Sequence, residues 1–248
     1  MVSPLRKQRD AILLRVKRND ATANAAASIE VANQALSASA DSLHIKLVEF
    51  EQDKLALKEF TQIAQKVNHK REVLIPKYKP MVEAYLEAGE AYQNPIFTDL
   101  IVWMFDAEEL DTAIDWCIQA IEKGLPTPEN FKRPWPEVCA DFVLEWAEKT
   151  FPTGNSIQPY FNQVLNKIES DWAVNEKLHA KWLKFAGYAL LTNEKGQVKP
   201  SDVGDLEKLE SALAFMTKAH ELHNKVGVTT KIKEVQSRIN AIQEGKNL

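Results

Sequence analysis

The sequence predicts an all-α protein, and three observations carry that expectation. Alanine, leucine, glutamate, lysine and glutamine dominate many stretches while only eight glycines occur in 248 residues, the usage of strong helix formers. Apolar residues recur three and four positions apart instead of alternating. The breaks at Asn94-Pro95, at Gly124-Leu125-Pro126-Thr127-Pro128, at Phe151-Pro152-Thr153-Gly154 and over 193–203 around Pro200 leave segments of helical length between them. The architecture expected is a basic N-terminal helical arm and a long helical hairpin, followed by a bundle of antiparallel, tetratricopeptide-like helix pairs.

The first element is basic. Arg6, Lys7, Arg9, Arg15, Lys17 and Arg18 are opposed only by Asp10 and share the segment with the apolar strip Ala11 to Leu14 and Val16. A short helix starting after Ser3-Pro4 fits, because proline suits a first helical turn. Residues 19–40 are rich in Ala, Ser and Asn, weakly patterned, and read as a loose helix or a hinge. Residues 1–40 therefore form the arm.

From Asp41 the pattern tightens. Leu43, Leu47, Phe50, Leu57, Phe60, Ala64 and Val67 recur at spacings of 4, 3, 7, 3, 4 and 3, close to the 3.5-residue period that pairs helices side by side. Polar Lys54 and Thr61 interrupt this seam, which favours a short packed hairpin or a subunit interface over an extended coiled coil. A boundary is placed at Pro76 and Pro80, since each proline removes a backbone donor and restricts its predecessor. This makes 41–76 a long helix with a candidate oligomerisation seam and 77–248 the helical body.

Within the body, helical patterns run over about 80–91, 96–106, 108–123, 135–149, 156–168, 174–192, 204–223 and 228–243. Ala113, Cys117 and Ala120 stand at i, i+4 and i+7, as do Ala212, Met216 and Ala219, each following an apolar helix that carries Trp103 or Trp182. Small residues at this spacing let two helices approach closely, as in the second helix of a tetratricopeptide hairpin. No regular period of roughly 34 residues accompanies them, so the expectation is of antiparallel pairs and not of a repeat array.

The net charge of −4 conceals an asymmetry: residues 1–80 hold 14 Lys and Arg against 9 Asp and Glu, or +5, and residues 81–248 hold 17 against 26, or −9. A polyanion would be handled by the first third, leaving the acidic remainder for proteins or further copies of the chain. No run approaches the roughly 18 apolar residues of a membrane span and no secretory h-region opens the chain, so a cytoplasmic protein is expected. Cys117 and Cys139 lie inside helical patterns and are expected as buried free thiols.

Chemistry is sparse. None of the glycines builds a phosphate-binding loop, so no nucleotide cofactor is expected. Asp106, Glu108, Glu109 and Asp111 crowd at a helix junction, where acids in a first turn are favoured by the helix dipole; a metal site is the lesser reading. His220 and His223 share a helix face without further ligands in sequence reach, and no nucleophile elbow or acid-x-Lys pair appears. No cofactor, metal or catalytic residue is assigned. Most tryptophans sit in apolar runs and read as core; Trp135, in Lys132-Arg133-Pro134-Trp135-Pro136, reads either as a loop aromatic plugging the core or as a grip on a partner or phosphate. The basic arm is the strongest functional signal, because arginine and lysine neutralise phosphates and release counterions.

Two longer segments add a resemblance. Lys70-Arg71-Glu72-Val73-Leu74-Ile75-Pro76 leading to Tyr78-Lys79-Pro80-Met81-Val82, then Leu100 to Phe105 and the Gly124-Leu125 loop with Lys132-Arg133, is similar to the small terminase subunit of temperate contractile-tailed phages, also labelled the terminase endonuclease subunit. Lys177-Leu178-His179, Trp182-Leu183-Lys184-Phe185, Ala212-Leu213-Ala214, Gly227-Val228 and Lys231-Ile232-Lys233-Glu234 resemble the end of the same family, so the likeness covers about residues 1–240. The resemblance implies viral DNA packaging in the cytoplasm of the bacterial host. The small subunit binds the cohesive-end site in double-stranded phage DNA, assembles with itself, commonly as a ring, and loads the large terminase subunit, which carries the ATPase and the cut. Members with a Lys/Arg-rich C-terminal tail differ from this chain, which ends Gly245-Lys246-Asn247-Leu248. DNA contact is thus expected from Arg6, Lys7, Arg9, Arg15, Lys17 and Arg18, with Lys70 and Arg71. The alternative is a tetratricopeptide-like adaptor that holds a peptide in a helical groove and never touches nucleic acid.

Overall fold

The computed structural model describes residues 43–89 and 92–246. It divides between Thr61 and Gln62 into two compact units. The first contains helix α1, residues 43–59, which buries Phe50 and Leu57 and half-buries Leu43 and Leu47. Its exposed side carries the short-range pairs Lys46–Glu49 and Lys54–Glu51.

The second unit is a bundle of helices: α2 (Ile63–His69), a π-helical turn (Lys70–Leu74), α3 (Ile75–Glu87), α4 (Pro95–Asp106), α5 (Leu110–Glu122), α6 (Trp135–Thr150), α7 (Tyr160–Ser170), α8 (Glu176–Leu191), α9 (Leu206–Leu222) and α10 (Thr229–Gln243), with the longer connections before α6 and α9. Among the described residues the only β pairing is the isolated bridge between Thr192 and Val198. No helix among them is long and apolar enough to cross a membrane. The fold is all-helical, as the composition and spacing predict.

The helical break falls at residues 60–62 and not at the prolines. From Ile63 to Glu87 the helix is continuous through Pro76 and Pro80. A proline inside a helix lacks the N–H for the carbonyl four residues back and clashes with it. The wider π-helical turn at Lys70–Leu74, immediately before Pro76, provides the local adjustment that lets the helix run on. Beyond it Leu74, Ile75, Tyr78, Val82 and Tyr85 keep one buried face, and burial of that stripe outweighs the lost backbone bonds.

Helix α4 is the centre of the core. It starts cleanly because Asn94 accepts hydrogen bonds from the amides of Ile96 (3.1 Å) and Phe97 (3.4 Å) while Pro95 occupies the first turn. Ile96, Phe97, Leu100, Ile101 and Met104 are completely buried, so neighbours surround the helix on most sides. Helix α5 ends at Gly124, whose φ of +64° lets Leu125 N donate back to the Ala120 carbonyl at 2.9 Å.

The small-residue stripes do what their spacing predicts locally. Ala113, Cys117 and Ala120 are fully buried in α5, as are Ala212, Met216 and Ala219 in α9. Consecutive helices pack together at α4 with α5, α8 with α9, and α9 with α10. The α8–α9 pair is the tightest: a Cβ on Gly187 would stand 3.0 Å from Met216 Cγ and 3.1 Å from the Ala212 carbonyl oxygen. Leu191, Leu209, Val228, Val235 and Ile239 extend this contact into a cluster shared with α10.

Helices α6 and α8, far apart in sequence, are tied by the indole N–H of Trp182, which donates to the Ala140 carbonyl at 3.2 Å. Phe161 of α7 stacks on Trp182 with ring centroids 4.7 Å apart. Trp103 and Trp116 are buried like Trp182, Trp146 is half-buried with its ring centroid 5.6 Å from that of Tyr160, and Trp135, 3% exposed at the start of α6, plugs the core.

Candidate functional site

Arg6, Lys7, Arg9, Arg15, Lys17 and Arg18 lie outside the described residues. Of the cations assigned to DNA, Lys70 and Arg71 are placed, both in the π-helical turn. Lys70 Nζ donates to Asp106 Oδ2 at 2.5 Å and lies 5.8 Å from the centre of the Trp103 ring. Arg71 Nη2 donates to the Ala107 carbonyl at 2.7 Å, at the C-terminal end of α4. A guanidinium there satisfies a carbonyl that the helix leaves without a partner and meets the negative end of its dipole. Both side chains thus close the junction between α2–α3 and the end of α4.

The acidic crowd at that junction is divided among separate tasks. Asp106 receives Lys70, and Asp111, in the first turn of α5, accepts from the Tyr160 hydroxyl of α7 at 2.9 Å. That bond, followed by desolvation and the charge of Asp111, raises the Tyr160 phenol above its ordinary value. Glu108 turns the chain with a φ of +60°. Among the described residues no three His, Cys, Asp or Glu side chains are grouped to hold a metal ion. His220 and His223 diverge in environment: Nδ1 of His220 is buried without a hydrogen-bond partner, and His223 borders a surface groove.

The apolar seam is partly consumed within one copy of the chain. Phe50 is 0% and Leu57 7% exposed, Leu43 and Leu47 are half-buried, and α1 stops before half-buried Phe60 and before Ala64 and Val67, the last two belonging to the second unit. The opposite face of α1 carries Ile45, Val48 and Leu55, spaced 3 and 7 apart and 66%, 48% and 58% exposed. Sequence reading passed over this second stripe because Phe50 and Leu57 gave the stronger periodic signal. Nothing in the spacing says which of two apolar faces one copy buries.

The loop at Lys132-Arg133 also resolves into structure. Arg133 pairs with Asp141 of α6, while the Thr127 hydroxyl donates to the carbonyls of Phe131 (3.2 Å) and Arg133 (3.1 Å) and holds the loop closed. Lys132 is exposed.

The junction formed by Lys70, Arg71 and the end of α4 lies inside the stretch that decides the family. A family model described as phage small terminase subunit matches residues 47–177, from α1 to the first turn of α8. The chain belongs to the phage small terminase subunit family. Two relatives from phages extend the likeness. The "Probable terminase, endonuclease subunit" of Haemophilus phage HP1 (strain HP1c1) is 33% identical over 195 residues, covering 79% of this chain and 69% of the relative. The "Terminase, endonuclease subunit" of Escherichia phage P2 is 24% identical over 193 residues, covering 78% of this chain and 72% of the relative. No solved structure matches the chain. The terminase match takes in the seam on α1 from Leu47 onward, both cations of the π-helical turn, all four carboxylates of the junction and the Arg133 loop.

Proposed function

We propose that the chain is the DNA-packaging adaptor of its phage: it binds the cohesive-end site of double-stranded DNA, assembles with itself, and brings the large terminase subunit to the genome in the cytoplasm of the host. The observation that carries this reading beyond family membership is the division of charge, +5 over residues 1–80 and −9 over residues 81–248. An acidic body repels the duplex except where the basic arm holds it, so Arg6 to Arg18 are assigned the phosphate contacts. Lys70 and Arg71 are assigned to the fold, given their bonds to Asp106 and Ala107. Self-association, as a ring, is assigned to α1, with Ile45, Val48 and Leu55 as the face left open by one copy and Leu43 and Leu47 at its margin. ATP hydrolysis and strand cleavage are assigned to the large subunit, since Asp106 and Asp111 are engaged by Lys70 and Tyr160.

The test is binding of the purified full-length protein to cohesive-end DNA and to unrelated DNA at two salt concentrations, with mass measured in parallel. A large assembly that prefers the cohesive-end fragment is expected. Deleting residues 1–18 should abolish DNA retention without changing the number of copies in the assembly, and if all six arm cations meet phosphates the log–log salt slope of the intact protein should be on the order of −5. A monomer indifferent to both DNAs would overturn the reading.

A further inference from the structure

A groove of about 770 Å³ opens between α6, α8 and the loop after α9. Its floor is aromatic: Phe142, Phe185 and Tyr188 line it, with Phe142 stacked on Phe105 at a centroid separation of 5.0 Å. The α6 side presents Asp141, Glu145 and Glu148, at i, i+4 and i+7 on one helix face. The α8 side presents Lys177, Lys181 and Lys184 at the same spacing, joined by Lys225 from the loop. The groove is therefore acidic on one wall, basic on the other and apolar between.

Some of these charges are already used. Asp141 pairs with Arg133, Glu145 with Lys149, and Lys184 donates to the Val226 carbonyl at 2.9 Å. Glu148, Lys177, Lys181 and Lys225 line the same groove without a hydrogen bond or ion pair among the described residues. Opposite charges held on facing walls and left unpaired are complementary to an insert that carries both signs. DNA does not fit that description, because its phosphates would face the carboxylates of Glu145 and Glu148. An aromatic floor is likewise suited to buried side chains and not to a solvated backbone of phosphates.

We infer that this groove docks a peptide segment of a protein partner, apolar along its centre, acidic on the edge that meets α8 and basic on the edge that meets α6. The inference rests on the adaptor reading for the identity of the partner, which is the large terminase subunit.

The experiment titrates the full-length protein with the large subunit of the same phage, and separately with labelled duplex DNA. Two variants are compared with the parent: Lys177→Glu with Lys181→Glu on the basic wall, and Glu148→Lys on the acidic wall. These side chains are exposed and unpaired, so melting temperatures should not move. Losing a pair of complementary contacts should weaken large-subunit binding roughly tenfold for the double variant and a few-fold for Glu148→Lys, with DNA binding unchanged. Lys233→Glu, on the exposed surface of α10 away from this groove, should bind as the parent does. Parental affinity in both groove variants, or an equal loss in Lys233→Glu, would overturn the groove while leaving the adaptor reading standing. Loss of DNA affinity with large-subunit binding intact would overturn it in favour of a nucleic-acid surface. Absence of any complex with the parent protein would overturn both the inference and the recruitment on which it rests.

Discussion

Lys70 reaches across 36 positions of sequence to place its ammonium 2.5 Å from the carboxylate of Asp106, and the two side chains are only 16% and 28% exposed. Removing the cation leaves a half-buried carboxylate without its partner, a loss between that of a surface pair and that of a buried one. Lys70→Gln should therefore cost about 1–2 kcal/mol, and Asp106→Asn in the same background should recover part of it. Thermal denaturation of the two single variants and the double variant measures the coupling. Strict additivity would show that the pair contributes nothing to the fold.

Glu108 turns the chain between α4 and α5 at a φ of +60°, where its amide donates to the Phe105 carbonyl at 3.0 Å. A side chain in this left-handed region costs roughly 1 kcal/mol that glycine avoids. Glu108→Gly should raise the urea midpoint by about 0.5 kcal/mol equivalent at unchanged slope. A lower midpoint would mean that the Glu108 carboxylate makes a stabilising contact.

Gly187 is placed where α8 crosses α9 most closely. Alanine is the better helix former by about 1 kcal/mol, yet its methyl would meet the Ala212 carbonyl at 3.1 Å, and a helix backbone cannot give way as a side-chain terminus can. Overpacking should win, and Gly187→Ala should destabilise by about 1–3 kcal/mol in equilibrium urea unfolding. Stabilisation instead would show that the two helices can slide apart at little cost.

Glu169 of α7 binds the His179 imidazole of α8 and the Lys218 ammonium of α9 with its two carboxylate oxygens. Desolvation alone would raise its pKa, but the hydrogen bonds from Lys218 and His179, with their charges, outweigh it and hold the carboxyl below its ordinary 4.5. A group with a depressed folded-state pKa stabilises above its unfolded value, and that contribution disappears as pH falls through the folded value. The stability difference between the parent and Glu169→Gln should be constant just above pH 4.5 and shrink below it, as followed by melting temperature. A difference that persists unchanged at low pH would mean that the carboxylate charge is not what clamps the three helices.

Cys117 and Cys139 are free, fully buried and close enough to interact. Burial, reinforced by Cys117, pushes the Cys139 thiol well above its ordinary value, so the reactive thiolate is scarce. Neither cysteine should react with an aromatic disulfide reagent in the folded protein, and both should react in denaturant. Rapid modification of the native protein would show that α5 and α6 separate readily.

The segments that form helices were legible in the sequence because helix formation is decided locally. The periodic patterns at 96–106, 135–149 and 228–243 lie within a residue of α4, α6 and α10, and Asn94-Pro95 is a start signal that needs no distant partner. The family was legible too, in short runs around Lys70 to Val82 and Leu100 to Phe105 that fall inside the matched stretch. Pro76 and Pro80 misled as a boundary because the rule that prolines end helices ignores the π-helical turn that ends two residues ahead of Pro76 and the buried stripe of α3 that rewards continuing through both.

The sequence by itself determined that this is an all-helical member of a terminase family, basic at its start and acidic thereafter. The helical class follows from composition and from contacts three and four residues apart, the charge division from a sum of charges, and the family from the resemblance carried by short runs such as Lys70 to Val82. Only the tertiary structure decided that Lys70 and Arg71 are spent on the end of α4, that Phe50 and Leu57 are already covered in one copy, and that the charged faces of α6 and α8 line one groove. The reason is physical: a long cation or an apolar stripe carries no local signature of its partner. Its partner is whichever residue, dozens of positions away, the packing brings within a few ångströms.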